Sequence, residues 1–236
     1  MSTDDFDVQS LAAYLHLSPQ QVARLADRGN LPGRKVAGEW RFSRPEIHHW
    51  LEDRIGLSDE DDLVDVEDVL RAEAGPEIPE EIVLAERLPP EAIEIPLNAR
   101  TRNSVFHAMV EVAARTGWLW DPGKMRTAIR DRENMHPTAQ ENGVALLHPR
   151  RPMAGILAQG FLALGCTATG IPFGGSRGGL TDVFFLLCSV DDRSHLRTLA
   201  RLSRVITAPG FLDALRQAPD AATAHRLIVD TEGDLP

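Results

Sequence analysis

The sequence predicts two domains, a small and mainly helical one over residues 1–54 and an α/β one with a mixed sheet flanked by helices over residues 91–236. Three observations predict this division. Helical patterns dominate the first domain, strand-length apolar runs alternate with helical patterns in the second, and an acidic stretch separates the two. The 236 residues, 43% of them hydrophobic, are enough for two cores of this kind.

The first domain opens with two short helices. Apolar side chains between Val8 and Leu15 recur on one helical face and predict the first helix. Ser18 followed by proline is typical of a capped helix start, and Gly29 ends the second helix. This order predicts a helix-turn-helix.

A hairpin and a third helix complete the first domain. Residues 34–36 and 40–42 are strand-like and flank a tight turn at Ala37-Gly38. Ser43 opens a third helix. The pattern is that of a minimal winged helix-turn-helix, in which the second helix enters the major groove of DNA. The apolar face of the third helix consists of Ile47, Trp50 and Leu51.

Residues 55–90 are predicted to form an acidic linker. Residues 55–94 contain 14 acidic and 2 basic groups, whereas the segments before and after them have net charges of −1 and +3. The overall net charge of −10 is therefore local, and a charge run of this kind is usually solvated. The linker has room for one helix over residues 61–72. The alternative is a packing helix or a dimer contact through Leu63, Val66 and Leu70.

Strand-like and helical patterns alternate through the second domain. Cys166 and Cys188 lie within apolar runs of strand length, so we expect buried, reduced thiols and no disulfide framework. The predicted strands are 93–95, 144–147, 161–167 and 183–190. The predicted helices are 102–115, 121–129, 194–206, 209–217 and 221–229.

Composition and motifs argue against several classes of protein. No stretch approaches the roughly 18 consecutive apolar residues that cross a bilayer, and the first ten residues are acidic, so we expect a cytoplasmic protein with no membrane partner. The histidines of the second domain lack the HExxH and Cys/His spacings of metal sites, so neither a metal nor a cofactor is expected.

Many positions of residues 7–53 match a known helix-turn-helix pattern. They are Leu11, Ala12, Leu15, Val22, Leu25, Gly29, Leu31, Pro32, Gly38, Trp40, Arg41, Phe42, Ile47 and Trp50. On these positions the domain resembles the excisionase and MerR-like helix-turn-helix family, which implies that DNA is a partner. Because a single domain of this type binds weakly, we expect a homodimer that reads two half-sites.

The second helix and the wing supply the candidate DNA contacts. Residues 18–44 carry six basic and two acidic groups, a patch that suits a phosphate backbone. The residues expected at the groove are Ser18, Gln20, Gln21 and Arg24, with Gln21 or Arg24 on base edges. Those expected on phosphate are Lys35 and Arg41. The alternative is a helix-turn-helix that serves protein contacts.

Residues 132–148, RENMHPTAQENGVALLH, contain an Arg-Glu pair, a threonine, a glycine and then a strand that delivers His148. A second histidine, His195, opens the helix after the long strand. On these two features residues 91–236 resemble the enzyme IIA domains of the bacterial sugar phosphotransferase system, of the fructose/mannitol and nitrogen-regulatory (PtsN-like) type.

The resemblance implies phosphohistidine chemistry. His148 would accept a phosphoryl group from a histidine phosphocarrier protein (HPr- or NPr-like), His195 would donate a hydrogen bond to its oxygens, and Arg132 would help to hold the charge. A neutral imidazole, with an ordinary pKa of about 6.5, is a competent nucleophile at neutral pH. Phosphoryl transfer needs mainly positioning and charge stabilisation, which an imidazole and a guanidinium provide.

The sequence departs from the family pattern Pro-His-Gly, which here reads Leu147-His148-Pro149-Arg150. Proline removes an N–H that a phosphate could use, whereas Arg150 adds a charge. The glycine-rich residues 170–179 lack the Gly-Lys-Ser/Thr ending of a P-loop and are predicted to be a flexible strand connection, with a lid or docking role as the alternative.

We therefore expect a transcriptional regulator whose DNA affinity follows the phosphorylation of His148. One alternative is a transport component that passes phosphate to an enzyme IIB, although the chain has no IIB-like cysteine motif or membrane domain. The other is a regulatory module that binds proteins without being phosphorylated. A fragment of residues 91–236 is expected to fold alone.

Overall fold

The structure is a computed structural model of the 236-residue chain, and it describes residues 5–15, 17–44, 46–47, 50–51, 82–175 and 178–235. The chain separates into two units, residues 1–80 and residues 81–236. The expected helix over residues 61–72 and its dimer contact lie outside the described residues. No helix in the described ranges combines the length and apolar character that a membrane crossing needs.

Within its described residues, the first unit contains two helices and three short strands, followed by a further helical segment. The elements are β1 (Asp5–Phe6), α1 (Val8–Tyr14), α2 (Pro19–Asp27), β2 (Arg34–Val36) and β3 (Glu39–Ser43). All strand pairs are antiparallel in the order β1-β3-β2. After β3, residues Arg44, Glu46, Ile47, Trp50 and Leu51 have helical conformation. The helix-turn-helix with a hairpin wing is confirmed, and β1 is an addition to the predicted elements.

Local sequence signals explain these elements. Ser18 caps the N-terminus of α2, and just beyond its C-terminal end the chain turns away at Gly29, which has a φ of +72°. Ala37 and Gly38 form the wing turn with φ angles of +52° and +87°, the pattern of a two-residue hairpin loop that matches strand twist. The fully buried side chains among the described residues of this unit are Leu11, Val22, Phe42 and Ile47.

The second unit contains six helices and four strands among the described residues. The strands are β4 (Ile93–Glu94), β5 (Val144–Leu147), β6 (Phe161–Pro172) and β7 (Leu180–Cys188). The helices are α3 (Leu84–Arg87), α4 (Arg102–Ala114), α5 (Pro122–Met135), α6 (Asp192–Thr207), α7 (Phe211–Arg216) and α8 (Ala221–Gly233). Residues 90–92 and 154–156 form single 3₁₀ turns.

The four strands form one mixed sheet in the order β4-β6-β7-β5, which confirms the predicted sheet type. β4 is parallel to β6 and β5 is parallel to β7, while β6 and β7 are antiparallel. β6 continues beyond its predicted end at residue 167. The sequence hid this extension because the register shifts between Cys166 and Ile171, where polar residues and a glycine interrupt the apolar pattern.

The core lies between the sheet and its helices. Phe173 packs edge-on against Phe106 of α4 and Phe184 of β7, with ring centroids 5.5 and 5.1 Å apart. Gly165 allows α4 to approach β6, because a Cβ there would lie 2.7 Å from the sulfur of Met109. Both cysteines are buried thiols, as predicted.

Residues 82–90, which the sequence placed in the linker, pack as part of the second unit. Leu84 and Leu88 are fully buried. Glu232, near the end of α8, accepts hydrogen bonds from the backbone N–H groups of Leu84 and Ala85 at 2.9 and 3.2 Å. The acidic composition of the surrounding chain concealed this single apolar turn.

Candidate functional site

The candidate site lies at the carboxyl end of two parallel strands. β5 and β7 run side by side, with Leu147 opposite Leu186. His148 follows β5 directly, and Ser189 follows β7 directly. His195 lies in the first turn of α6. Because parallel strands end at the same edge of a sheet, two histidines that are 47 residues apart in the sequence meet there.

The approach of β5 to β7 depends on a glycine. Gly143 has a φ of +85°, and a Cβ there would lie 2.8 Å from Nη2 of Arg216 and 3.1 Å from Oδ1 of Asp182. Its carbonyl oxygen accepts from the backbone N–H groups of Asp182 and Val183. The glycine of the sequence motif therefore fixes where β5 starts and where it delivers His148.

His148 is 2% exposed, and its Nδ1 lies 2.8 Å from the carbonyl oxygen of Leu146. A carbonyl oxygen only accepts hydrogen bonds, so Nδ1 carries the proton in this contact. In the neutral ring the lone pair then belongs to Nε2. The backbone of β5 thus selects which nitrogen of His148 is nucleophilic.

His195 is 6% exposed, and its ring centroid lies 5.1 Å from that of His148 with the two planes at 52°. The Nδ1 of His195 lies 3.0 Å from the buried hydroxyl oxygen of Ser189. A hydroxyl can donate or accept, so Ser189 orients the ring. Ser189 was missed by the sequence reasoning, because it lay within the predicted strand 183–190, whereas β7 ends at Cys188.

Arg132, the predicted charge holder, is 5% exposed near the end of α5. Its Nη1 donates to the carbonyl oxygen of His136 at 2.6 Å. This bond fastens the chain that leaves α5. Its role toward a phosphoryl group stays a prediction, because the contact seen here is with backbone.

Glu133, the partner of Arg132 in the sequence motif, is buried and forms a cluster with the partly buried side chains of Thr138 and Arg102. Its carboxylate accepts from the backbone N–H of Thr138 at 3.2 Å and from the Thr138 hydroxyl, and it lies 3.5 Å from Nη2 of Arg102. Burial raises the pKa of Glu133, against the lowering effect of the Thr138 hydrogen bonds and of the charges of His148 and Arg102. The sequence reasoning had assigned Glu133 and Thr138 no role.

The chain between α5 and β5 lies along the site. The N–H of Gln140 donates to the carbonyl oxygen of Val144 at 2.8 Å. The glycine-rich connection approaches the same segment, since a Cβ on Gly174 would lie 3.0 Å from Pro137 and one on Gly175 would lie 3.5 Å from Ala139. The connection is therefore packed against this segment up to Gly175, and residues 176 and 177 lie outside the described part of the chain.

The predicted groove residues lie on the exposed side of α2 and at its N-terminus. Ser18 and Gln21 form a capping box: the N–H of Gln21 donates to the Ser18 hydroxyl at 3.2 Å, and the N–H of Ser18 donates to Oε1 of Gln21 at 2.8 Å. This structural role leaves Gln20 and Arg24 as the exposed long side chains of α2 outside the capping box.

The two predicted phosphate contacts are engaged in surface ion pairs. Nζ of Lys35 lies 3.5 Å from Asp27, and Nη2 of Arg41 lies 2.9 Å from Glu39. Both pairs are largely exposed and contribute little to stability. A phosphate group can therefore compete for either cation at small cost. Among the described residues, no group of three His, Cys, Asp or Glu side chains is placed to hold a metal ion.

Two family models match separate parts of the chain. Residues 86–230 match the family described as "Phosphoenolpyruvate-dependent sugar phosphotransferase system, EIIA 2", and residues 6–55 match a helix-turn-helix domain family. None of the curated proteins compared with the chain matches its sequence.

Solved structures resemble the second unit. The nitrogen regulatory protein IIA-Ntr from Neisseria meningitidis is 20% identical with a TM-score of 0.55, over 61% of this chain and 97% of that one. The mannitol IIA protein from Escherichia coli is 16% identical with a TM-score of 0.52, over 58% of this chain and 96% of that one. A complex of IIAMTL with phosphorylated IIBMTL from Escherichia coli matches at 15% identity with a TM-score of 0.51, over 59% of this chain and 95% of that one.

Proposed function

Because the chain belongs to the EIIA 2 family of the phosphoenolpyruvate-dependent sugar phosphotransferase system and carries an N-terminal helix-turn-helix domain, we propose that it is a transcriptional regulator phosphorylated on His148. The donor is a histidine phosphocarrier protein of the same system. The observation that carries the proposal is the buried pair of His148 and His195, in which Leu146 holds the Nδ1 proton of the nucleophile.

The transfer is a direct exchange between two imidazoles. The lone pair on Nε2 of His148 attacks the phosphorus of the donor's phosphohistidine, a new N–P bond forms, and the donor's N–P bond breaks with its electrons returning to the donor ring. Nδ1 keeps its proton throughout, so Leu146 stabilises the positive charge that develops on the ring of His148. No proton has to leave His148 during the step.

Two neighbours of His148 can stabilise the negative charge of an incoming phosphoryl group. With the Ser189 hydroxyl donating to Nδ1 of His195, the Nε2 of that ring bears a proton for a phosphoryl oxygen. Arg132 lies near the end of α5 with its backbone contact at His136 and supplies positive charge to this part of the unit. Phosphoryl transfer depends mostly on such positioning and charge.

The proline after His148 leaves this arrangement intact. Pro149 lacks an N–H, so it removes one backbone donor that the family pattern would retain. The ring of His148 is held by the carbonyl oxygen of Leu146, a contact that does not involve Pro149. Arg150 is exposed directly beyond the proline and adds a cation at the edge of the site.

The helix-turn-helix supports DNA as the second partner. Gln20 and Arg24 are exposed on α2, where they would face base edges in the major groove. Lys35 and Arg41 lie on the wing strands, where exchange of their carboxylate partners for phosphates would add electrostatic affinity. We further propose that two copies bind as a homodimer to two half-sites.

Phosphorylation provides the regulatory signal. The phosphoryl group of a phosphohistidine carries about two negative charges. Because the ring of His148 keeps its Nδ1 proton and becomes positive, the side chain gains one net negative charge. This charge would alter the dimer geometry or the linker contacts, and hence the DNA affinity.

The first experiment is intact-mass spectrometry under alkaline conditions after incubation with phosphoenolpyruvate, enzyme I and phosphocarrier. Wild-type protein and His195→Ala should gain one phosphoryl group, the latter more slowly, and His148→Ala should gain none. DNA binding of both phosphorylation states is then measured by fluorescence anisotropy. Absence of an adduct on the wild type, while a control enzyme IIA is phosphorylated, would favour a binding module that works without phosphorylation.

One second function has specific support. The solved complex that resembles the second unit joins IIAMTL to phosphorylated IIBMTL. This chain would then pass its phosphoryl group to a IIB protein. If phosphate moves from His148 to a cysteine-containing IIB while DNA affinity stays constant, the transport role is favoured over regulation.

A further inference from the structure

The short helix α3 lies against the start of α6, the helix that carries His195. The Nη1 of Arg87, at the end of α3, donates to the hydroxyl oxygen of Ser194 at 2.8 Å and to that of Thr198 at 3.4 Å. Ser194 precedes His195 in the chain, and Thr198 lies one turn further along α6. One guanidinium group therefore holds the chain on both sides of the second histidine.

The absence of a side chain at Gly160 leaves room for this contact. Gly160 lies between the two elements, and a Cβ there would come within 3.2 Å of Nη1 of Arg87 and 3.8 Å of the Ser194 hydroxyl oxygen. A side chain at this position would crowd the guanidinium. The N–H of Ser194 donates separately to the side chain of Asp191, the cap of α6, at 2.8 Å. The first turn of α6 is thus fixed by its cap and by Arg87 together.

The other end of α3 is also anchored to α6. Glu232 accepts from the N–H groups at the start of α3 and forms an ion pair with Arg201 at 3.2 Å. Both charged side chains are less than a tenth exposed. Since removal of one member of a buried pair is strongly destabilising, this anchor sets the position of α3 against α6.

We propose that Arg87 is a positioning residue for the histidine pair: it holds the first turn of α6 so that His195 stays against His148. This proposal rests on the proposed function, in which His195 donates to the incoming phosphoryl group. Arg87 itself contacts the hydroxyls of α6 and acts through them. The sequence gives no sign of this role, because Arg87 lies in the acidic stretch and outside both motifs.

The test compares Arg87→Met, Arg87→Lys and, because the arginine change could disturb folding, the double variant Ser194→Ala/Thr198→Val with Arg87 retained. Arg226→Met removes an exposed arginine from α8 and is the control for charge. The rate of phosphoryl transfer from the phosphorylated phosphocarrier is measured for each full-length protein. The imidazole nitrogen resonances of His195 are recorded by NMR in the same samples.

Arg87→Met and the double variant should each lower the transfer rate about tenfold, which is less than the roughly hundredfold loss that a 1 Å misplacement of reacting groups can cause, because His195 would be displaced and not removed. Both should shift the His195 resonances, Arg87→Lys should restore part of the rate, and Arg226→Met should behave as wild type. Unchanged His195 resonances in both Arg87→Met and the double variant would overturn the proposal. If even the wild type accepts no phosphate, the proposed function fails, and the resonances alone decide the role of Arg87.

Discussion

The Nδ1 of His148 lies 2.8 Å from the carbonyl oxygen of Leu146, two residues earlier in the same chain. The contact joins the first side chain after β5 to a backbone carbonyl group within β5. The contact fixes the tautomer of His148 by main-chain geometry, which a change of side chain at residue 147 or 149 can leave in place. The proposed phosphorylation of His148 therefore does not depend on the flanking residues of the family pattern to set this tautomer.

Replacement of Ser189 by alanine should slow phosphoryl transfer to His148 about fivefold, because one hydrogen bond worth about 1 kcal/mol no longer orients His195. The rate is measured by quenched-flow mass spectrometry. The matched control is Ser203→Ala on α6, whose buried hydroxyl has no hydrogen-bond partner within the described residues. Equal rates for Ser189→Ala and Ser203→Ala would show that Ser189 does not orient the ring.

Glu133→Gln should change how stability depends on pH. Burial raises the pKa of Glu133 in the folded state, so its contribution to stability is fully present below the ordinary carboxyl pKa and is lost as pH rises through the folded pKa. The wild type should therefore lose stability relative to Glu133→Gln as pH rises from about 4.5 toward neutrality. Urea unfolding across this range gives the difference, and a gap that is constant with pH would contradict the assignment.

The two cysteines should resist alkylation in the folded protein. Burial raises the pKa of Cys166 to about 12, and it raises the pKa of the fully buried Cys188 further. At pH 8 the reactive thiolate is then scarce. Mass spectrometry after iodoacetamide treatment should find both thiols unmodified under native conditions and both modified in denaturant. Rapid modification of either thiol in the folded state would show that the β6 and β7 core opens.

Asp27→Asn should raise non-specific DNA affinity about threefold, given DNA binding as proposed. The change removes the carboxylate that pairs with Lys35 and leaves an amide oxygen that can still accept from Nε1 of Trp40. Anisotropy titrations at several salt concentrations measure the effect. Asp230→Asn, an exposed position on α8, controls for net charge. The same gain in both variants would assign the effect to overall charge and remove Lys35 from the DNA surface.

A fragment of residues 82–236 should be more stable than one of residues 91–236 by at least about 3 kcal/mol, since the longer fragment keeps two fully buried leucines, Leu84 and Leu88. The shorter fragment also leaves the buried pair of Arg201 and Glu232 without the α3 backbone. Thermal and urea unfolding of both fragments test this. Equal stability would mean that α3 is dispensable for the second unit.

The sequence predicted elements whose signals are local. The bounds of β5 as residues 144–147 are confirmed, because a continuous apolar run ends at a histidine and a proline. The cap at Ser18 is confirmed as well. The cap also includes Gln21, which the sequence had suggested as a DNA contact and not as part of the helix start.

Contacts between distant segments were beyond the sequence. Glu232 and Leu84 are 148 residues apart, and Arg87 and Ser194 are 107 apart. No periodicity or cap signal links such pairs, since their proximity follows from the packing of α3, α6 and α8. The proximity of His148 and His195 could be predicted only from the family resemblance. The distance between their rings follows from the parallel pairing of β5 and β7, which the sequence did not give.

The hydrogen bonds from Leu84 and Ala85 to Glu232 bring the first and last helices of the second unit side by side. A short peptide could therefore join residue 235 to residue 82, and new ends could be opened at an exposed site such as residues 219–220. Such a circular permutant would keep β5, β7 and the histidine pair while the chain enters the unit elsewhere. The proposed phosphoryl-accepting site would then remain complete, and the DNA-binding domain would be attached at a different point of the second unit.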